Sequence, residues 1–242
     1  MGMHTTGRLA YWHMPKTGGF SVYRVLRELC PGYLKQSGPV RHSPLADVDP
    51  ALYGGKLLFG TARDPWSWYA SLYQHAASGN DGLARLKRWG EGDPSFKAVL
   101  RSWTQPTEDA VGDQFGPVWG YPENQASALR QDFLACGLGL YSWMFNHVYG
   151  APALPQVFIP TLNLEAGLAD ITGLPLEKIS VVRMQNKAQH RPKSAFADPR
   201  SEFDNEMLDW VEAAEDEGIT TFGWQPFKAP DWTTFRHTTV PA

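Results

Sequence analysis

The chain has 242 residues, 43% of them hydrophobic, enough to bury the core of an α/β domain of ordinary size. Its 22 basic and 25 acidic side chains leave a net charge of −3, which excludes the basic footprint of a nucleic-acid-binding domain and leaves local Lys and Arg clusters to serve a small anion. Two cysteines, Cys30 and Cys136, make no disulfide framework and stand in no metal-type spacing with histidine.

The polar opening MGMHTTG does not read as a secretory leader. No apolar run approaches the roughly 20 residues of a membrane span, so a soluble, cytoplasmic protein is expected. Leu9 to Trp12 is a short apolar run of the kind found in a buried strand. The chain breaks at Pro15, passes through Lys16-Thr17-Gly18-Gly19 and becomes helical, with Val22, Val25, Leu26 and Leu29 on one face. Cys30 reads as a small buried filler at the helix end. Pro31-Gly32 stops the helix, a loop runs through Ser37-Gly38-Pro39, and a short helical piece is expected from Pro44 to Leu52. Lys56 to Ala62 is the second buried strand, ending on Arg63-Asp64-Pro65, and a helix follows from Trp66 to Ala77. Two strand–turn–helix units predict a P-loop-like, parallel central sheet flanked by crossover helices, in one domain.

Further on, Leu83 to Trp89 and Ser95 to Trp103 read as short helices, and Gln105 to Asn124 as a long loop of the lid or binding type. Ala126 to Tyr149 holds further helix. A third strand is expected within Pro155 to Leu162, then a helix from Leu164 to Thr172 and a short strand from Ile179 to Arg183. Asn186 to Phe196 reads as a basic loop and Glu202 to Glu217 as an amphipathic helix. Ten tryptophans, several between residues 66 and 143, suit a concave binding surface or an aromatic core equally.

Two stretches carry chemistry. A glycine turn opening a helix lets backbone N–H groups and the helix dipole face an anion. Lys16 adds a mobile charge there, and Thr17 and Ser21 add hydroxyls. The lysine precedes the glycines and no G-K-[ST] occurs, unlike a nucleoside-triphosphatase loop. By itself the turn also suits a purely structural role. In the second stretch Arg63 ends a strand, and Ser71 lies eight residues on, about 80° around the helix at about 100° per residue. Both suit a phosphate; taken alone, Arg63 reads rather as a partner of Asp64 or of a helix end.

Taken together, HMPKTGGFS and a strand ending RDPWSWYAS resemble the paired signature of sulfotransferases that use 3′-phosphoadenosine 5′-phosphosulfate (PAPS). The resemblance is above all to the carbohydrate branch, the heparan sulfate 2-O- and 6-O-sulfotransferases and their bacterial relatives. It spans residues 8–75 and 156–224, taking in His42 within VRHSPLADV, the stretch MQNKAQHRPKSAF and the ending Phe222-Gly223-Trp224. The resemblance implies that Lys16, Thr17, Gly18, Gly19, Phe20 and Ser21 line a 5′-phosphosulfate site. Arg63 and Ser71 would hold the 3′-phosphate, and His42 would be the base, with Lys16 as its catalytic partner. PAPS would be the sulfuryl donor and 3′-phosphoadenosine 5′-phosphate (PAP) the product, with no metal. The acceptor would be a carbohydrate or small molecule with a free hydroxyl, met by a variable insertion over residues 78–155. The chain departs from the pattern at Phe20, where the family often has Thr, and at Trp68, where Arg is common.

Around this site, His75 is the rival base, one turn beyond Ser71. His13 reads as a structural or donor-side group. Asn186, Lys187, His190 and Arg191 form a basic cluster suited to the nucleotide, an anionic acceptor or solvent. Trp66 and Trp68 are candidates for adenine or acceptor contact and for core packing. A small-molecule kinase with a related loop, and a non-catalytic nucleotide- or glycan-binding module, are the competing functions.

Overall fold

The computed structural model describes residues 3–35, 43–78, 81–107, 123–150, 155–189 and 198–236, with backbone alone at 123, 124 and 186–189. Its strands are β1 His4–Thr5, β2 Leu9–Tyr11, β3 Leu34–Lys35, β4 Leu57–Ala62, β5 Val157–Pro160 and β6 Phe235–Arg236. Its α-helices are α1 Gly19–Leu29, α2 Pro65–Ala77, α3 Gly82–Trp89, α4 Phe96–Thr104, α5 Glu123–Cys136, α6 Leu140–Tyr149, α7 Leu164–Thr172, α8 Leu176–Gln189 and α9 Asn205–Phe222. Among the described residues no helix is long and apolar enough to cross a membrane.

The expected α/β fold is present, and the chain divides into two compact units. One comprises Met1–Arg63, Phe145–Arg191 and Lys228–Ala242; the other comprises Asp64–Met144 and Pro192–Phe227. The division begins at Asp64 and includes a C-terminal stretch, whereas the sequence reading set 78–155 apart.

The first unit holds the whole sheet, in the order β3-β1-β2-β4-β5-β6. Its three central strands β2, β4 and β5 run parallel, with Tyr11 opposite Phe59 and Phe59 opposite Val157. The outer pairings are antiparallel and two residues long. Alternation along β5 sends Val157 and Ile159 to one face and Phe158 to the other. The first face closes on α1, α7 and α8 through Val22, Val25, Leu26, Leu164, Leu168, Ile179 and Val182. On the second face Phe158 meets the rings of Phe145 and Tyr149, at 5.2 and 5.1 Å between centroids.

Residues Ile179 to Arg183 belong to helix α8, not to a strand. Their β-branched run invites a strand reading, but the buried residues are Ile179 and Val182, three apart, while Val181 is 54% exposed. That is helical spacing, used to pack α8 on α1. The same helix continues through residues 186–189, which the sequence reading placed in a loop.

The second unit is helical, with α2 and α4 each packed against α3 and α9. Its aromatic residues form a core rather than a binding surface. Trp66, Trp68, Tyr69 and Trp103 are fully buried, Tyr69 stacks on Trp103 at 5.8 Å, and Trp103 meets Trp89 at 5.3 Å. Trp66 and Trp68 are therefore withdrawn from the ligand-contact role considered above. Each such ring removes enough apolar area from water to contribute about 1.5–3 kcal/mol. Within this core α9 kinks at Glu215, whose buried carboxylate accepts hydrogen bonds from Tyr69 Oη and from the N–H groups of Tyr141 and Ser142 in the first turn of α6.

Candidate anion-binding site

The site is assembled where β2 and β4, neighbouring parallel strands, reach their C-terminal ends. Open α/β sheets bind ligands at such ends. β2 leads through Trp12 to Met14 and the turn Lys16-Thr17-Gly18, after which α1 begins at Gly19. β4 leads directly to Arg63, the last residue of the first stretch of the same unit.

Backbone conformation is demanding in this turn. Lys16 has φ +65° and Gly18 φ +84°, both left-handed. Glycine adopts that conformation freely, whereas for lysine it is costly and persists only where the surroundings impose it, as at ligand-binding turns. Gly19 is required for a second reason. A Cβ there would lie 2.8 Å from Cγ of His13, whose ring stacks on Tyr11 at 5.7 Å. His13 is buried and forms a wall of the turn, which accords with a structural role.

Arg63 donates from Nη1 to the carbonyl oxygen of Lys16 at 3.3 Å. Residues 47 positions apart thereby meet, the Arg63 guanidinium on the Lys16 backbone and near enough for its charge to act on the Lys16 ammonium. The Lys16 ammonium is lowered from 10.5 to about 8, first by burial and then by the Arg63 charge. The carboxylate next in sequence, Asp64, caps α2 by accepting from the Ser67 N–H at 2.8 Å. Adjacent positive charges at a half-buried turn are an arrangement that an anion would relieve.

The other expected residues are distributed as follows. Thr17 is fully buried and turns inward: its hydroxyl donates to Met14 O at 2.7 Å and lies 2.7 Å from Thr61 Oγ1, so the side chain braces the turn. Phe20 is half-buried with its ring edge-on to Tyr23 at 4.7 Å. Ser21 is half-buried in the first turn of α1, where its N–H donates to Gly18 O at 2.9 Å. Ser71 lies on α2 in the second unit, half-buried, and His75 on the same helix is exposed. His42, His190 and Arg191 lie outside the described residues, and Asn186 and Lys187 are described by backbone alone.

Sequence reasoning passed over one member of this region, Tyr149. Its hydroxyl accepts the Met14 N–H at 2.8 Å and lies 3.2 Å from Thr61 O. No local pattern marks it, since its partners are 88 to 137 residues away.

No protein-family model, curated protein or solved structure matches the chain.

Proposed function

We propose that the chain is a PAPS-dependent O-sulfotransferase acting on a hydroxyl of a carbohydrate or small molecule. One observation carries this reading: Lys16 and Arg63, from the two motifs of the resemblance, meet at the ends of adjacent parallel strands beside a glycine turn. The residues fit a doubly phosphorylated nucleotide. Two adjacent cations, a lysine held in a left-handed turn and the head of α1 all favour a multivalent anion.

In this reading Arg63 holds phosphate, and the α1 turn and Lys16 hold the phosphosulfate end. The acceptor oxygen forms a bond to sulfur as the bond from sulfur to the 5′-phosphate breaks, leaving the electron pair on PAP. Lys16 balances the charge that builds on that departing oxygen, and His42 takes the acceptor's proton. The reaction is in-line displacement, with positioning and charge balance supplied by the protein.

Thermal unfolding of the full chain with PAP, with ATP and without ligand tests the reading. PAP at about 100 times its Kd should contribute roughly 2.7 kcal/mol, a melting shift of about 5–10 °C. The shift should be smaller with ATP, smaller in Lys16→Ala and retained in His42→Ala. An equal response to ATP would favour the kinase reading, and no response to PAP would overturn the assignment.

A further inference from the structure

Pairing of β2 with β4 ends where Trp12 N–H donates to Phe59 O at 3.2 Å. Beyond it, the two segments that carry Lys16 and Arg63 are joined through side-chain oxygens, and the central one belongs to Tyr149. Its hydroxyl accepts from Met14 N at 2.8 Å and Thr61 N at 3.3 Å, and its own proton is within reach of Thr61 O at 3.2 Å and Trp12 O at 3.3 Å. Backbone groups thus engage both lone pairs and the proton, with the Thr61 and Thr17 hydroxyls close by as well. Burial pushes the phenol further up, so it remains both donor and acceptor at any physiological pH.

The ring is as constrained as the oxygen. It stands edge-on to Phe158 and to Phe145, each 5.1 Å away, and it lies against β4 at Gly60, where a Cβ would come within 3.0 Å of Tyr149 Cζ. A second, parallel line of hydroxyls runs Tyr11 to Thr61 Oγ1 at 3.0 Å, Thr61 to Thr17 at 2.7 Å and Thr17 to Met14 O. Since Thr17 gives its single proton to Met14 O, Thr61 donates to Thr17 and Tyr11 donates to Thr61. Tyr11 thus ends in a side chain, whereas Tyr149 grips both backbone segments directly.

We propose that Tyr149 is a positioning residue of the anion site: its hydroxyl clamps the Trp12–Met14 segment to Thr61 and so holds Lys16 beside Arg63. The inference rests on the reading of Lys16 and Arg63 as the anion-binding pair. It assigns to a residue far from both motifs the task of fixing the spacing of their charges.

Competitive acetylation of the full chain across a pH series, read by peptide mass spectrometry, reports the titration midpoint of Lys16 without any ligand. The wild-type midpoint is expected at about 8. Tyr149→Phe should move it upward, toward the ordinary lysine value, as the turn relaxes out of its burial and away from Arg63. PAP affinity should fall by about tenfold, the loss expected for one net hydrogen bond. Tyr11→Phe removes an equally buried hydroxyl from the same cluster and should leave the midpoint in place. Equal shifts in both variants, or none in Tyr149→Phe, would overturn the proposal.

If Tyr149→Phe does not fold, hydrogen exchange of the wild-type chain decides. The amides of Met14 and Thr61 should exchange as slowly as those of the centre of β4, and exchange about 100-fold faster would refute the clamp. Because the acetylation midpoint needs no nucleotide, loss of the sulfotransferase reading through absent PAP binding is distinguishable from loss of the clamp.

Discussion

Replacing Glu215 by glutamine should change how the stability of the chain depends on pH more than it changes stability itself. The carboxyl is fully buried, and burial raises it from 4.5 to about 7 against the opposing pull of its hydrogen bonds from Ser142, Tyr69 and Tyr141. Among the described residues no ion pair includes it. Its titratable neighbours, Tyr69 and Cys136, are both pushed up by burial and stay neutral through this range. Between pH 4.5 and 7 the folded chain therefore keeps a proton that the unfolded chain has released. Stability from this group is fully present below the lower value and is lost as pH rises through the upper one, in total about 3 kcal/mol at about 1.4 kcal/mol per unit. The glutamine of Glu215→Gln would not titrate. Its amide nitrogen would face the Ser142 N–H, a pH-independent cost of about 1–3 kcal/mol. Urea unfolding followed by tryptophan fluorescence, with Trp103 stacked on Tyr69 as a local reporter, measures both chains across the range. With a urea slope of about 2 kcal/mol per molar, the difference between their midpoints should change by roughly 1.5 M from acid to neutral pH. Other carboxylates cancel in that difference. A constant difference would show that Glu215 titrates at the same pH in the folded and unfolded chains, and the reasoning would fail.

Two further outcomes follow from the turn. Gly19→Ala drives a methyl into the His13 ring and should cost about 1–3 kcal/mol in denaturant unfolding. In a His13→Ala background that cost should fall by about 1 kcal/mol or more, and an equal cost in both backgrounds would exclude the contact as its cause. Lys16 is charged below about pH 8 and neutral above, so on the sulfotransferase proposal PAP affinity measured calorimetrically should hold to about 8 and then weaken. The decline above the break should be about tenfold per pH unit, and Lys16→Ala should lack the break. A decline that begins only above about pH 10, the ordinary lysine range, would refute the burial of the Lys16 ammonium beside Arg63.

What could be read from the chain in advance divides by the range of the interaction that carries it. The strand–turn–helix units at Leu9 to Leu29 and Leu57 to Ala77 announce themselves because apolar runs, Pro65 and the glycines act within a few residues of where they stand. Lys16 and Arg63 were legible for the same reason, as the ends of those units, although nothing local said that Arg63 would donate to the Lys16 carbonyl. Ile179 to Arg183 shows the opposite case. Ile179, Val181 and Val182 are β-branched and fit a strand, and only the tertiary fact that α8 lies on α1 makes Ile179 and Val182 the inward pair. β1, β3 and β6 are two residues each, shorter than any period that could reveal them. Thr17 was read as a ligand donor from its position in the turn, yet its hydroxyl is directed inward by Met14 O and Thr61. Tyr149 is the extreme, a side chain whose neighbours in sequence explain its burial in an aromatic helix and nothing of its hydroxyl. A buried phenol must find partners, and here the groups left over were those that strand pairing had released at the ends of β2 and β4. The place where a parallel sheet opens to admit a ligand is thus also where it lacks backbone pairing, so whatever restores those bonds decides how firmly the two cations are held.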